Sequence, residues 1–156
     1  MIHHQLIYAA QRGNIDNIKR YITEGADVKG MDGNALNSAI YNGHTKAAQL
    51  LIEAKAWTPN DGDTPMGYAI SRRRVSCVNL LLECKANPNG KYNCNIFKAL
   101  GDGNMEIIKA LLDACAKINA GALFILTAAA SYDHINLIRF LLGRKIEICL
   151  HRKIIR

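Results

Sequence analysis

The chain of 156 residues is 49% apolar and 21% charged, a balance that favours a packed fold over disorder and suits one ordinary domain. Its longest apolar stretch, Ala122 to Ala130, falls far short of the roughly 18 residues of a membrane span, which excludes a spanning helix. The formal charge of +7 is uneven: from Arg139 onward six basic residues face one acid (+5), leaving only +2 for the first 138 residues, so the body is not a basic surface.

In chain order, residues 6, 9, 10 and 13 are spaced like one face of a short helix. Gly13 then supplies the left-handed cap at which a helix ends. A second apolar pattern at 15, 18, 21 and 22 predicts a longer helix that stops at Gly25-Ala26. This unit recurs every thirty residues. Ala9, Ala39, Ala69, Ala99 and Ala129 fall in one column, and three positions earlier stand Leu6, Leu36, Met66, Ile96 and Leu126. Nine positions after the alanine come Ile18, Ala48, Val78, Ile108 and Ile138. Twelve and thirteen after it come Tyr21-Ile22, Leu51-Ile52, Leu81-Leu82, Leu111-Leu112 and Leu141-Leu142. Columns that agree in phase are the signature of a repeat array. Each row reads helix, tight turn, longer helix, loop, and none carries enough alternation for a strand. The expected fold is all-α, a solenoid of about five helix-turn-helix repeats. One domain would span 1–150, with repeats at 3–30, 31–60, 61–90, 91–120 and 121–150. Residues 151–156 would be a basic tail or partial cap.

Asp61-Gly62-Asp63-Thr64-Pro65-Met66-Gly67-Tyr68-Ala69 resembles the ankyrin signature T-P-L-H-x-A with its preceding turn. Gly43-His44 resembles the glycine-histidine pair between ankyrin helices. Gly25-Ala26-Asp27-Val28, Lys85-Ala86-Asn87-Pro88-Asn89 and Ala116-Lys117-Ile118-Asn119 resemble the stretch that closes the second helix. The resemblance to the ankyrin repeat family covers roughly residues 3–148. It implies a binding module without chemistry of its own, which holds another protein on its concave face. The usual ankyrin period is about 33, against thirty here. The missing residues fall in the projecting hairpin, so short turns are expected in its place.

The residues one before, two after and three after each alanine should point away from the stack. From these rows Tyr8, Arg12, Tyr41, Asn42, Tyr68, Arg72, Lys98, Asp102 and Tyr132 are the candidate partner-binding residues. Tyrosine and arginine are the types that dominate interface hot spots. Trp57, the single tryptophan, falls in a loop and is either tucked against its neighbours or a further partner anchor. Arg73 stands in the column of Gly13, Gly43, Gly103 and Asp133, where a left-handed backbone costs a side chain roughly 1–2 kcal/mol. Arg72-Arg73-Arg74 and the basic C-terminal end offer the alternative function, contact with nucleic acid or another acidic surface.

No catalytic constellation appears. The five histidines have no nucleophile or acid at useful spacing, and His44 and His134 share one column after the inter-helix turn, which suits a hydrogen bond to backbone. The five cysteines are odd in number with no C-x-x-C pair, so neither a disulfide framework nor a zinc site is expected. No enzyme activity, cofactor or metal is expected, nor is nucleic acid the expected partner. The N-terminal residues lack a basic segment followed by an apolar core, so no secretory signal is read and the chain is placed in the cytoplasm as a monomer. After Leu142 the apolar residues Ile146, Ile148, Leu150, Ile154 and Ile155 are expected to fold back as a partial sixth repeat or to leave an apolar end for self-association. The skew toward Asn, Ile and Lys hints at an AT-rich genome. Ankyrin proteins from such sources are often effectors of intracellular bacteria or products of large viruses, which engage host proteins.

Overall fold

A helix leaves its last carbonyls without intrahelical donors, and this chain satisfies them in the same way in repeat after repeat. In the computed structural model, which describes residues 2–90, 94–114, 122–131 and 134–143, the first helix of each of the first four repeats ends on a left-handed residue. Gly13, Gly43, Arg73 and Gly103 have φ of +66°, +82°, +55° and +65°. The next residue then turns its N–H back five positions: Asn14 to Ala9, His44 to Ala39, Arg74 to Ala69, Asn104 to Ala99 and His134 to Ala129, at 2.8–3.3 Å. This is the Schellman closure. The alanine carbonyl is its acceptor in all five repeats. The second helices close by the same device, with Ala26, Ala56 and Ala86 bonding back to Tyr21, Leu51 and Leu81 at 2.9 Å.

Ten α-helices lie among the described residues, in five pairs: α1 (Ile2–Arg12) with α2 (Ile15–Thr23), α3 (Gly30–Asn42) with α4 (Thr45–Glu53), α5 (Thr64–Ser71) with α6 (Val75–Glu83), α7 (Cys94–Gly101) with α8 (Met105–Asp113), and α9 (Ala122–Ser131) with α10 (Ile135–Gly143). First helices pack on first helices, α1 on α3, α3 on α5, α5 on α7 and α7 on α9. Second helices form a parallel layer, α2 on α4, α4 on α6 and α6 on α8. Translational order of period thirty is therefore present through the described chain, and the all-α solenoid expected from the columns is the observed fold. None of these helices is long and apolar enough to cross a membrane.

The core lies where the columns put it. The five column alanines are between 0% and 3% exposed. Leu6, Leu36, Met66 and Ile96 are buried beside them, and Ile18, Ala48, Val78 and Ile108 fill the layer behind. Leu51, Leu81 and Leu111 are fully buried between repeats. In the fifth repeat Leu126 and Ile138 are half-buried and Leu142 is exposed. The apolar residues beyond it, with the partial sixth repeat and the basic tail 151–156, lie outside the described residues. At the other end α2 presents Asn14, Asp16, Lys19 and Arg20 to solvent, the polar outer face that a terminal repeat requires.

No strand occurs among the described residues, and the links described between repeats are turns, as the short period implies. Asp27 Oδ1 accepts the Lys29 N–H at 3.0 Å, and Asn87 Oδ1 accepts that of Asn89 at 3.0 Å. Between α4 and α5 a short 3-10 turn, Pro59–Asp61, is closed by Asp61 accepting from the Thr58 N–H and hydroxyl. Lys29 reaches across from the preceding loop to Asp61 at 3.1 Å. Its ammonium and the Thr58 donors hold the Asp61 carboxyl below the ordinary aspartate value of 3.8. Because that pKa is depressed, the link is at full strength above the ordinary range and is lost as pH falls through the lowered value.

The second-helix turns carry a strain the sequence does not hide. Gly25 is left-handed there at no cost, but Lys55 and Lys85 take φ of +66° and +67°. A left-handed lysine costs roughly 1–2 kcal/mol, against about 0.5–1 kcal/mol for the extra freedom of an unfolded glycine. The double substitution Lys55→Gly, Lys85→Gly is thus expected to raise stability by about 1–2 kcal/mol in urea unfolding; a lowered midpoint would refute the strain. Leu111→Ala, at a fully buried site, is expected to cost about 2–5 kcal/mol by the same measurement.

Candidate functional site

Burying the alanine side of each first helix forces the opposite side into solvent. Tyr8 is 55% exposed, Tyr41 38% and Tyr68 40%. These are the largest exposed aromatics among the described residues, and all three lie on the first-helix face. They are organised. Tyr41 and Tyr68, from successive repeats, meet edge to face with ring centroids 6.0 Å apart and planes at 75°. Arg72, in the turn after α5, reaches back so that its guanidinium carbon sits 3.9 Å from the Tyr41 ring centroid. Arg12 lies over Tyr8 in the same way at 4.8 Å. Such contacts hold long, flexible arginines in place at modest energetic gain.

Two open grooves flank this ladder, and Tyr68 is the wall between them. One, of about 290 Å³, is lined by Gln11, Asn34, Ser38, Tyr41 and Tyr68. The other, of about 740 Å³, is lined by Asp63, Gly67, Tyr68, Ser71, Cys94 and Lys98. Gly67 opens the larger one. A Cβ there would stand 3.6 Å from Lys98 Nζ, so any longer side chain would occupy the space. The sequence marked this position only in that its column otherwise holds Ile7, Asn37, Phe97 and Thr127.

The remaining candidates separate. Lys98 is exposed on this face, whereas Asn42 is half-buried with its amide donating to the Ser38 carbonyl at 2.8 Å. Asp102 is half-buried, and its backbone carbonyl accepts Arg73 Nη2 at 2.7 Å. Tyr132 lies outside the described residues. Trp57 needs correcting as a partner anchor: it is only 6% exposed, and its indole N–H donates to the Gly62 carbonyl at 3.0 Å. The indole packs under the loop between α4 and α5, on the core side of the chain, and leaves little of the ring for a partner.

The arginine triplet is not one basic cluster either. Arg74 Nε donates back to the Tyr41 carbonyl at 3.2 Å, while Arg73 donates forward to Asp102. Two of the three guanidiniums therefore stitch the third repeat to the second and the fourth, and Arg72 alone lies on the tyrosine ladder. The histidine column behaves as Arg74 does. His44 Nε2 donates to the Gln11 carbonyl at 3.0 Å, and its ring sits where a Cβ on Gly13 would come within 2.7 Å. Asn14 and Asn104, in the same column, instead cap their own helices by accepting from Asn17 and Ile107.

Three of the cysteines are described, and all are free thiols. Cys77 is buried; Cys84 and Cys94 are half-buried. Burial pushes the Cys77 and Cys84 thiols up from their ordinary value, which leaves them protonated and inert near neutrality.

A family model for ankyrin repeats (3 copies) matches residues 6–92. The chain belongs to the ankyrin repeat family. A fowlpox virus protein (strain NVSL), named as an ankyrin repeat protein, is 31% identical over 121 residues, or 72% of this chain. The match takes in 28% of that relative's length, so the chain spans less than a third of the fowlpox protein. Ankyrin repeats generally mediate protein–protein interaction and are typically non-catalytic, and the repeat-to-repeat hydrogen bonds of His44 and Arg74 are scaffold features in that sense.

Proposed function

We propose that the first-helix face, which we take as the concave one, binds a partner protein, and that Tyr8, Arg12, Tyr41, Tyr68, Arg72 and Lys98 make the contact. One observation carries this reading: Arg72, Tyr41 and Tyr68 form a single connected cluster across two repeats and remain open to solvent. Ordered aromatic and arginine side chains lose little freedom on binding, which is why such clusters concentrate interface energy. Asn42 and Asp102 border the site and Tyr132 would extend it. The fowlpox relative favours a large virus as the kind of source in which such a module engages host proteins. The cytoplasm, of the producing cell or of a host, is its proposed place of action, since free thiols such as Cys94 suit a reducing compartment.

The test is paired affinity capture from a host-cell lysate with the native chain and the Tyr41→Ala, Tyr68→Ala, Arg72→Ala triple variant, with unchanged helical content required of the variant. Proteins retained by the native chain should be lost, or bound about tenfold or more weakly, by the variant. Equal retention by both would contradict the placement of the site.

A further inference from the structure

Acidic side chains are nearly absent from the first-helix layer. Helices α1, α5, α7 and α9 contain no aspartate or glutamate, and α3 has only Asp32 near its start. The second helices hold acids and bases together: Asp16, Glu53, Glu83, Glu106 and Asp113 stand there with Lys19, Arg20, Lys46, Lys109 and Arg139, so that layer is close to neutral. The tyrosine face carries the cations Arg12, Arg72 and Lys98. The ion pairs found among the described residues, Arg20–Glu24 and Lys29–Asp61, involve none of the three. Of the nearest acids, Asp63 sits at the loop end of the larger groove and Asp102 is half-buried.

The stacking decides what these cations are ready for. A guanidinium whose carbon sits over a ring, as in Arg12 and Arg72, still carries its fork of N–H donors, and that fork matches a carboxylate in a two-pronged hydrogen bond. Spacing adds a second constraint. The guanidinium of Arg12 lies over Tyr8 of the first repeat, that of Arg72 reaches back over Tyr41 of the second, and Lys98 Nζ stands beside Gly67 of the third, so successive charges are about one repeat apart. Packed helices lie about 8–10 Å apart, so one repeat advances the surface by about that much. An extended chain rises about 3.3 Å per residue, so one repeat corresponds to about three residues of bound peptide and two repeats to about six.

We propose that this face accepts an extended acidic segment of its partner protein, with one carboxylate on Arg12, a second about three residues along on Arg72, and a third about three residues further on Lys98. The aromatic ladder between them would pack the intervening side chains. This deepens the reading above and rests on it.

The probe is a displayed random library of 12-residue peptides, selected on the full chain in about 0.1 M salt. Selected peptides are expected to be rich in Asp and Glu at intervals of about three and six residues. They should bind at least about tenfold more weakly to Arg72→Ala, in part more weakly to Arg72→Lys, and equally to Lys46→Ala on the second-helix layer. Neutral or basic selected peptides, no selected peptide at all, or affinity unmoved by Arg72→Ala would overturn the proposal, as would a single-stranded DNA oligonucleotide that binds more tightly than the selected peptides. A partner captured from lysate that depends on Tyr41 and Tyr68 but not on Arg72 or salt would sink the acidic segment and leave the binding face standing.

Discussion

The structure depends on how closely one first helix can approach the next. On its first helix each repeat places an alanine whose side chain is shut off from solvent in all five. A methyl group is small enough to let two helices meet with little between them, yet it still buries apolar surface on both sides. The same residue's carbonyl receives the N–H that ends the helix. One column thus fixes the spacing of the repeats and the turn from first helix to second.

Other features follow from that contact. No single pair of helices can cover both of its apolar faces, so stability accumulates from neighbour to neighbour, with Leu51, Leu81 and Leu111 filling the gaps behind the alanines. His44 and Arg74 tie carbonyls of the preceding repeat, and Arg73 ties one of the following repeat. With the inner side of the first helices committed to stacking and the links reduced to turns, the outer side of those helices is the large surface left for Tyr8, Tyr41, Tyr68 and their arginines. The scarcity of acids on the first helices leaves Arg12, Arg72 and Lys98 to give that surface its sign.

How much of this was legible depended on the range of the interaction. The thirty-residue columns announced the fold because burial on a helix face is periodic. The left-handed turn at Arg73 was readable because its column otherwise holds glycine or aspartate, and the exposed tyrosines followed from the positions that stacking excluded. Trp57 was ambiguous because only the folded loop brings its N–H to Gly62. The arginine triplet looked like one basic patch because adjacency in sequence says nothing of direction: Arg73 and Arg74 leave the turn toward opposite neighbours. The groove beside Gly67 depends on the distance to Lys98 in the next repeat, which no local pattern encodes.

The most direct measurement of the central claim is the stability of Ala69→Leu, at the middle of the array. Leucine is a good helix former, so a helix that merely needed propensity would tolerate or welcome it. If close approach at this column holds the stack together, three added heavy atoms at a site with no exposure must push the third repeat from its neighbours. Urea unfolding should then show a loss of about 2 kcal/mol or more, with a broadened transition as the two halves uncouple. An unchanged or raised midpoint with a single sharp transition would contradict the account.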